Sequence, residues 1–249
     1  MPNQNYDLPL ISTQLGGQLG NQLFYIATAL GYAYEYNVTP IFPSLNSDSC
    51  SEGIIYNRDH IFFRLDSSLS PRPFKAFFKE AKPYNYSKIP FQPDLLIVEG
   101  IFQSWKYFDQ FRDKILSVFA PSEKILNHIN EKYADLIVNP TTVSIHLRAR
   151  NRDLHNRKIH PTFSLEYYKN AMSHYSSDST FIIFSDRIEW CKKHFPSLNR
   201  KFVFIDDDYI VELFLMSMMK NNIICNSTFS WWAAYLNQNP NKIVVTPDN

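Results

Sequence analysis

TVSIHLRAR, residues 142–150, decides how this chain folds. Its first six residues are short, partly β-branched and nearly all apolar, with no polar face alternating against an apolar one. A run of that kind suits a strand covered on both faces, the usual state of strands in parallel sheets. Four similar runs follow: TFIIFS (180–185), KFVFID (201–206), NIICN (222–226) and KIVVT (242–246). Between them lie SLEYYKNAMSHY from Ser164, IEWCKKHF from Ile188, YIVELFLMSMMK from Tyr209 and STFSWWAAYLN from Ser227, each long enough for a helix. Ser164, Asp186, Asp208 and Ser227 stand where helix N-caps belong. The pattern is βαβαβαβαβ, an α/β sheet of parallel strands with helices on both faces.

Working toward the N-terminus, the first half opens in the same way. LPLIS (8–12) reads as a strand, Gly16, Gly17 and Gly20 as a loop, and residues 21–36 carry Leu23, Ile26, Ala27, Leu30 and Tyr34 at helical spacing. After TPIF (39–42), residues 43–93 are rich in Ser, Pro, Asn and Tyr, and only loops and short helices are expected there. LLIVEGIF (95–102) is a further strand, followed by helices over about 105–119 and 121–136. VNPT at 138–141 supplies breaking residues, so two α/β domains are expected, 1–138 and 139–249.

Composition narrows the possible activities. The 249 residues are 45% hydrophobic and 16% aromatic, enough to bury a large core. A net charge of +1 gives no sustained field for nucleic acid or anionic lipid. Cys50, Cys191 and Cys225 are widely spaced and read as reduced, buried thiols. MPNQNYDLPLIS has neither a basic nor an apolar leader region, and the longest apolar run, from Ile210, is interrupted by Glu212. A cytoplasmic chain without a signal peptide or membrane span is therefore expected.

In parallel sheets ligands sit beyond the carboxyl ends of the strands, so the residues that follow each strand are the candidates. GGQLGNQLF from Gly16 places glycines before a helix whose N-terminal N–H groups attract phosphate, with Asn21 and Gln22 at its start. VSIHLRAR puts His146 and Arg148 on one side of a strand as it ends, and Arg148, Arg150, Arg152, Arg157 and Lys158 form a basic cluster. Arginine binds phosphate bidentately and can neutralise a departing diphosphate without a metal; a solvated loop is the alternative. Asp186 either caps a helix or receives a base or ribose. Asp206, Asp207 and Asp208 match the DxD pattern of metal-dependent glycosyltransferases, but acidic residues before a helix are favoured by its dipole in any case. Asn226, Ser227 and Thr228 form another phosphate-binding helix start, with Trp231 and Trp232 either anchoring the helix in the core or framing the pocket.

In chain order, GGQLGNQLF, FQSWKYF (102–108), VSIHLR, HPTFSLEYY (160–168), FSDRIEWCKKHF (184–195) and NSTFSWWAAYLN (226–237) resemble the bacterial α-1,2-fucosyltransferases over nearly the whole chain. The resemblance implies two facing Rossmann-like domains of GT-B type, with the acceptor on the N-terminal side. It implies transfer of L-fucose from GDP-β-L-fucose, with inversion and without an obligatory metal or other cofactor, to the 2-hydroxyl of a terminal galactose. The implied partners are GDP-fucose and a galactose-terminated oligosaccharide, including lipid-linked ones reached by peripheral association at the inner membrane face. The implied donor site comprises Gly17, Gly20, Asn21, Gln22, Arg148, Arg150, Asp186, Asn226, Ser227, Thr228 and Phe229, with Arg148 facing the diphosphate. His146 and Asp153 are the candidates for a base. The family's adjacent arginines, HxRRxD, are interrupted here by Ala149, and Asn151 stands where its acidic residue would be. The family also often continues somewhat past Thr246-Pro247. The competing expectations are a metal-dependent transferase built on residues 206–208 and a non-catalytic carbohydrate- or nucleotide-binding protein.

Overall fold

Two parallel sheets form, each in its own unit, in a computed structural model that describes residues 7–48, 53–148 and 163–248. The units are Met1–Ser122 and Glu123–Asn249.

The first unit holds β1 (Leu10–Thr13), α1 (Leu19–Tyr36), β2 (Thr39–Pro40), α2 (Ile54–His60), β3 (Ala76–Lys79), β4 (Leu95–Glu99) and α3 (Arg112–Val118). Its strands are all parallel in the order β2-β1-β4-β3. β1 is fully buried and β4 buries Leu95 and Ile97; α1, whose Leu23, Ile26, Ala27 and Leu30 are buried, packs on β1. Helix α1 starts at Leu19, two residues earlier than its periodicity suggested, so Gly20 lies inside its first turn. β3 lies in the segment expected to hold only loops and short helices. As an edge strand of four residues it alternates half-buried Ala76 and Phe78 with exposed Phe77 and Lys79, too short a pattern to separate from its Ser/Pro/Tyr-rich surroundings.

The second unit holds α4 (Glu123–Val138), β5 (Thr142–Leu147), α5 (Leu165–Met172), β6 (Thr180–Ser185), α6 (Ile188–His194), β7 (Lys201–Phe204), α7 (Tyr209–Met218), β8 (Asn221–Ile223), α8 (Thr228–Leu236) and β9 (Val244–Val245). All five strands are parallel in the order β7-β6-β5-β8-β9, the doubly wound arrangement that the alternating pattern implied. Val143, Ile145, Leu147, Phe181, Ile183 and Ile223 pack against Tyr168, Ala171 and Met172 of α5 and Ile188 and Cys191 of α6. On the other face a buried amide network joins sheet to helix. Asn222 donates to the Ser144 hydroxyl (2.7 Å) and the Met216 carbonyl (2.9 Å), while Asn237 donates to Asn222 Oδ1 and the Met219 carbonyl, both at 2.8 Å.

The division between units falls at Ser122/Glu123 and not at 138/139. The reason is α4, which packs on α7 and is tied to the loop after β7: Asp207 Oδ2 accepts from His128 (2.9 Å), Lys132 (2.8 Å) and Tyr133 (2.7 Å). Although its partial burial opposes ionisation, those three bonds hold the Asp207 carboxyl well below the usual carboxylate range.

Candidate active site

In the second unit the strand order reverses between β5 and β8, because β6 lies on one side of β5 and β8 on the other. The crevice beyond the carboxyl ends of such a pair is where open α/β sheets bind ligands. Arg148 follows β5 there, half-buried, and Asn226, Ser227, Thr228 and Phe229 follow β8 and open α8. The structure thus brings together the candidate arginine and the candidate helix start on adjacent strands.

Beneath them is a neutral layer. His146 is only 4% exposed. Its Nδ1 shares a 3.4 Å hydrogen bond with Cys225 Sγ, and its ring lies 5.4 Å from that of Phe229. Burial, with a smaller push from the Arg148 charge, lowers the His146 pKa to about 3. Burial raises the Cys225 thiol to about 11, although Ser230 and Arg148 partly oppose this. His146 is therefore an uncharged, buried floor group packed under the helix start. Its protonation works against the fold: the unfolded imidazole takes up a proton near its ordinary pKa of about 6.5, whereas the native one does so near 3. Stability is complete above about pH 6.5 and is lost as pH falls toward 3. Between pH 7 and 5 this amounts to about 2 kcal/mol, so urea midpoints for His146→Gln are expected to show a clearly shallower loss over that interval than the parent.

Two tyrosines not foreseen as site residues fix the strand ends. Tyr167 donates to the Ile224 carbonyl (2.6 Å) and Tyr168 to the His146 carbonyl (3.3 Å), so α5 holds the ends of β8 and β5 together. Burial pushes both phenols well above their ordinary range. In sequence the pair lies in the helix-length segment from Ser164, and only their place in HPTFSLEYY marks them.

Helix ends complete the electrostatics. Helices α5, α6 and α7 carry Glu166, Glu189 and Glu212 in their first turns, whereas α1 and α8 carry no acidic residue there. An acid-free N-terminus presents its partial positive charge to an outside anion. Asp186 does not cap α6. Arg187 takes the cap position, its N–H bonded to Ser185 Oγ (3.0 Å), and Asp186 stands exposed at the end of β6.

In the first unit the loop after β1 turns on Gly17, whose φ of +67° suits glycine. A Cβ there would also lie 2.4 Å from Asn21 Nδ2. Gln22 is fully buried: it donates to the Gly17 carbonyl (3.1 Å) and accepts from Asn57 (2.7 Å). It shapes the loop from below, leaving Asn21 as the half-exposed amide at its surface. Arg150, Arg152 and Asp153 lie outside the described residues, as does Cys50.

The acidic run after β7 is otherwise employed. Asp207 holds α4, and Asp208 caps α7 by accepting from the Ile210 N–H (2.9 Å). Among the described residues no group of three or more His, Cys, Asp or Glu side chains is arranged to hold a metal. Glu212, half-buried beside Asp206, Asp207 and Asp208, has its pKa raised to about 7, chiefly by desolvation.

The family model described as glycosyl transferase family 11 matches residues 65–249, which includes all of the second unit. The chain belongs to this family of glycosyltransferases. Among its relatives, the O-antigen biosynthesis glycosyltransferase WbnK of Escherichia coli is 35% identical over 187 residues, 70% of this chain and 62% of that protein. An Escherichia coli alpha-1,2-colitosyltransferase is 31% identical over 160 residues, 59% of this chain and 53% of that one. The matched regions thus span less than two thirds of either relative. In fold, the chain is similar to the NodZ alpha-1,6-fucosyltransferase soaked with GDP-fucose, with a TM-score of 0.64, 13% identity and 92% of each chain covered. It is also similar to POFUT1 in complex with GDP-fucose, with a TM-score of 0.51, 11% identity and 99% of each chain covered. The family 11 chain thus has the α/β fold of parallel sheets found in those structures. No helix among its described residues is long and apolar enough to cross a membrane.

Proposed function

We propose that this family 11 glycosyltransferase moves L-fucose from GDP-β-L-fucose to the 2-hydroxyl of a terminal β-galactoside, with inversion and without a metal. The observation that carries the reading is the pairing, at the strand-order reversal of the second unit, of Arg148 with an acid-free helix start at residues 226–229. That combination suits a diphosphate. The arginine offers a planar fork of donors, and the helix start offers N–H groups and the positive end of its dipole. Both act where charge grows as the sugar–phosphate bond breaks, a stabilisation worth several kcal/mol at the transition state. Inversion requires the acceptor hydroxyl to attack the anomeric carbon from the face opposite the leaving diphosphate. Burial and weak basicity count against His146 as the group that takes the proton of that hydroxyl, and Asp153 is the proposed acceptor.

A second donor follows from the 31% identity to a colitosyltransferase. Colitose is the 3-deoxy counterpart of L-fucose, so the two donors differ by one hydroxyl on the transferred ring. The purified protein is expected to release GDP from GDP-fucose only when a β-galactoside is present, and to do so in EDTA. No galactoside-dependent release would reject the reading, and faster release from GDP-colitose would assign the alternative donor.

A further inference from the structure

We propose that Gln103 and Trp105 form a subsite for the acceptor sugar in the first unit, and that buried Glu80 holds it in shape. The proposal rests on the fucosyl-transfer reading for the identity of the sugar as a galactoside.

The chain leaves β4 by a turn that is unusual in two ways. Phe102, a bulky and fully buried residue, has a φ of +53°, a conformation that L-residues with large side chains rarely adopt. Beside it Glu80, only 5% exposed, turns its carboxylate inward. Oε2 accepts from the N–H groups of Ile101 (2.7 Å) and Phe102 (3.1 Å), and Oε1 accepts from the Tyr107 hydroxyl (3.2 Å). Tyr107 accepts in turn from the Ser87 N–H (3.2 Å), and Tyr25 of α1 donates to the Gly100 carbonyl (2.9 Å). Ending a strand requires neither a buried carboxylate nor a strained aromatic residue. Together they fix one backbone path, and strain of this kind persists where the surroundings over-determine it.

That path delivers Gln103, whose Nε2 donates to Asn21 Oδ1 (3.2 Å) on the first turn of α1. Two carboxamides thus meet beyond the carboxyl ends of the central strands β1 and β4, where a parallel sheet presents its ligand-binding groups. A carboxamide donates and accepts at once, which matches the paired donor and acceptor character of neighbouring sugar hydroxyls. Two residues further on, Trp105 is 50% exposed, while Phe102, Tyr107 and Phe108 of the same FQSWKYF segment are buried. A half-exposed indole two residues from that carboxamide pair, with Lys106 Nζ 5.9 Å from its ring centroid, offers the apolar surface and polar edge that suit a pyranose ring.

The test compares Gln103→Ala, Trp105→Ala and Glu80→Gln with the parent, reading acceptor KM, donor KM and thermal midpoint separately. Gln103→Ala and Trp105→Ala are expected each to raise acceptor KM by about tenfold, the loss of one hydrogen bond or one stacking contact, with the midpoint unchanged; donor KM stays unchanged in Trp105→Ala and rises less than acceptor KM in Gln103→Ala, whose partner Asn21 is a donor-site candidate. Glu80→Gln is expected to raise acceptor KM in the same direction, because an amide cannot accept through both of its heavy atoms. Acceptor KM within about twofold of the parent in both alanine variants, or an equal rise in donor KM, would overturn the subsite. If the parent shows no galactoside-dependent turnover, the fucosyl-transfer reading fails instead. The subsite is then judged by saturation-transfer NMR with methyl β-galactoside: a signal abolished by Trp105→Ala supports it, and none with the parent rejects it.

Discussion

Replacing Arg148 with alanine is expected to lower turnover by about a hundredfold or more, the usual effect of removing one group that stabilises transition-state charge. Arg148 follows the central strand β5 and stands half-buried above a floor made neutral by the paired His146 and Cys225. A cation in such surroundings is less screened than one on the open surface, so under the proposed transfer its loss is expected to fall on the step in which the diphosphate departs. Arg148→Lys keeps the charge without the planar fork and should recover only a small part of the loss. Single-turnover rates with GDP-fucose and a β-galactoside measure both variants, and alanine activity within a few-fold of the parent would remove Arg148 from this role.

The largest loss of stability is expected at Asn222. Its side chain is completely buried and bonds to Ser144, the Met216 carbonyl and the Asn237 amide, joining β5 and β8 to α7 and the end of α8. Asn222→Ala leaves several buried polar groups without that partner, each worth about 1–3 kcal/mol, for a total of about 3–5 kcal/mol. The thermal midpoint of the second unit is expected to fall by about 10 °C. A fall of less than about 3 °C would show that the network relaxes or admits water.

How much of this was legible in sequence depends on how continuous the signal was. TVSIHL and TFIIFS coincide with β5 and β6 because a strand buried on both faces writes an unbroken apolar run. β3 was illegible because a four-residue edge strand has no room to establish a period. Helix α4 was visible as a helix, but sequence order does not say which sheet it covers, and that was decided by Asp207 reaching His128, Lys132 and Tyr133. At the site, strand alternation suggests one side of β5 for His146 and Arg148, but it could not show that burial closes over the first and leaves the second, past the end of the strand, half-buried. Gln22 was read from its place at a helix start, yet its amide faces inward to Gly17 and Asn57. Glu80 carried no sequence signal at all, since a buried carboxylate is recognised only by the N–H groups it receives.

The Asp207 fastening also bears on how family 11 chains could exchange parts. A recombinant that takes its second unit from another member must cross over before Glu123, so that α4 arrives together with the loop that grips it. A crossover at the apparent sequence break near residue 139 would pair this chain's helix with another member's loop, leaving Ile125, Ile129 and Tyr133 without their matched surface. Helix α4 is, by its packing, the first element of the half that follows it.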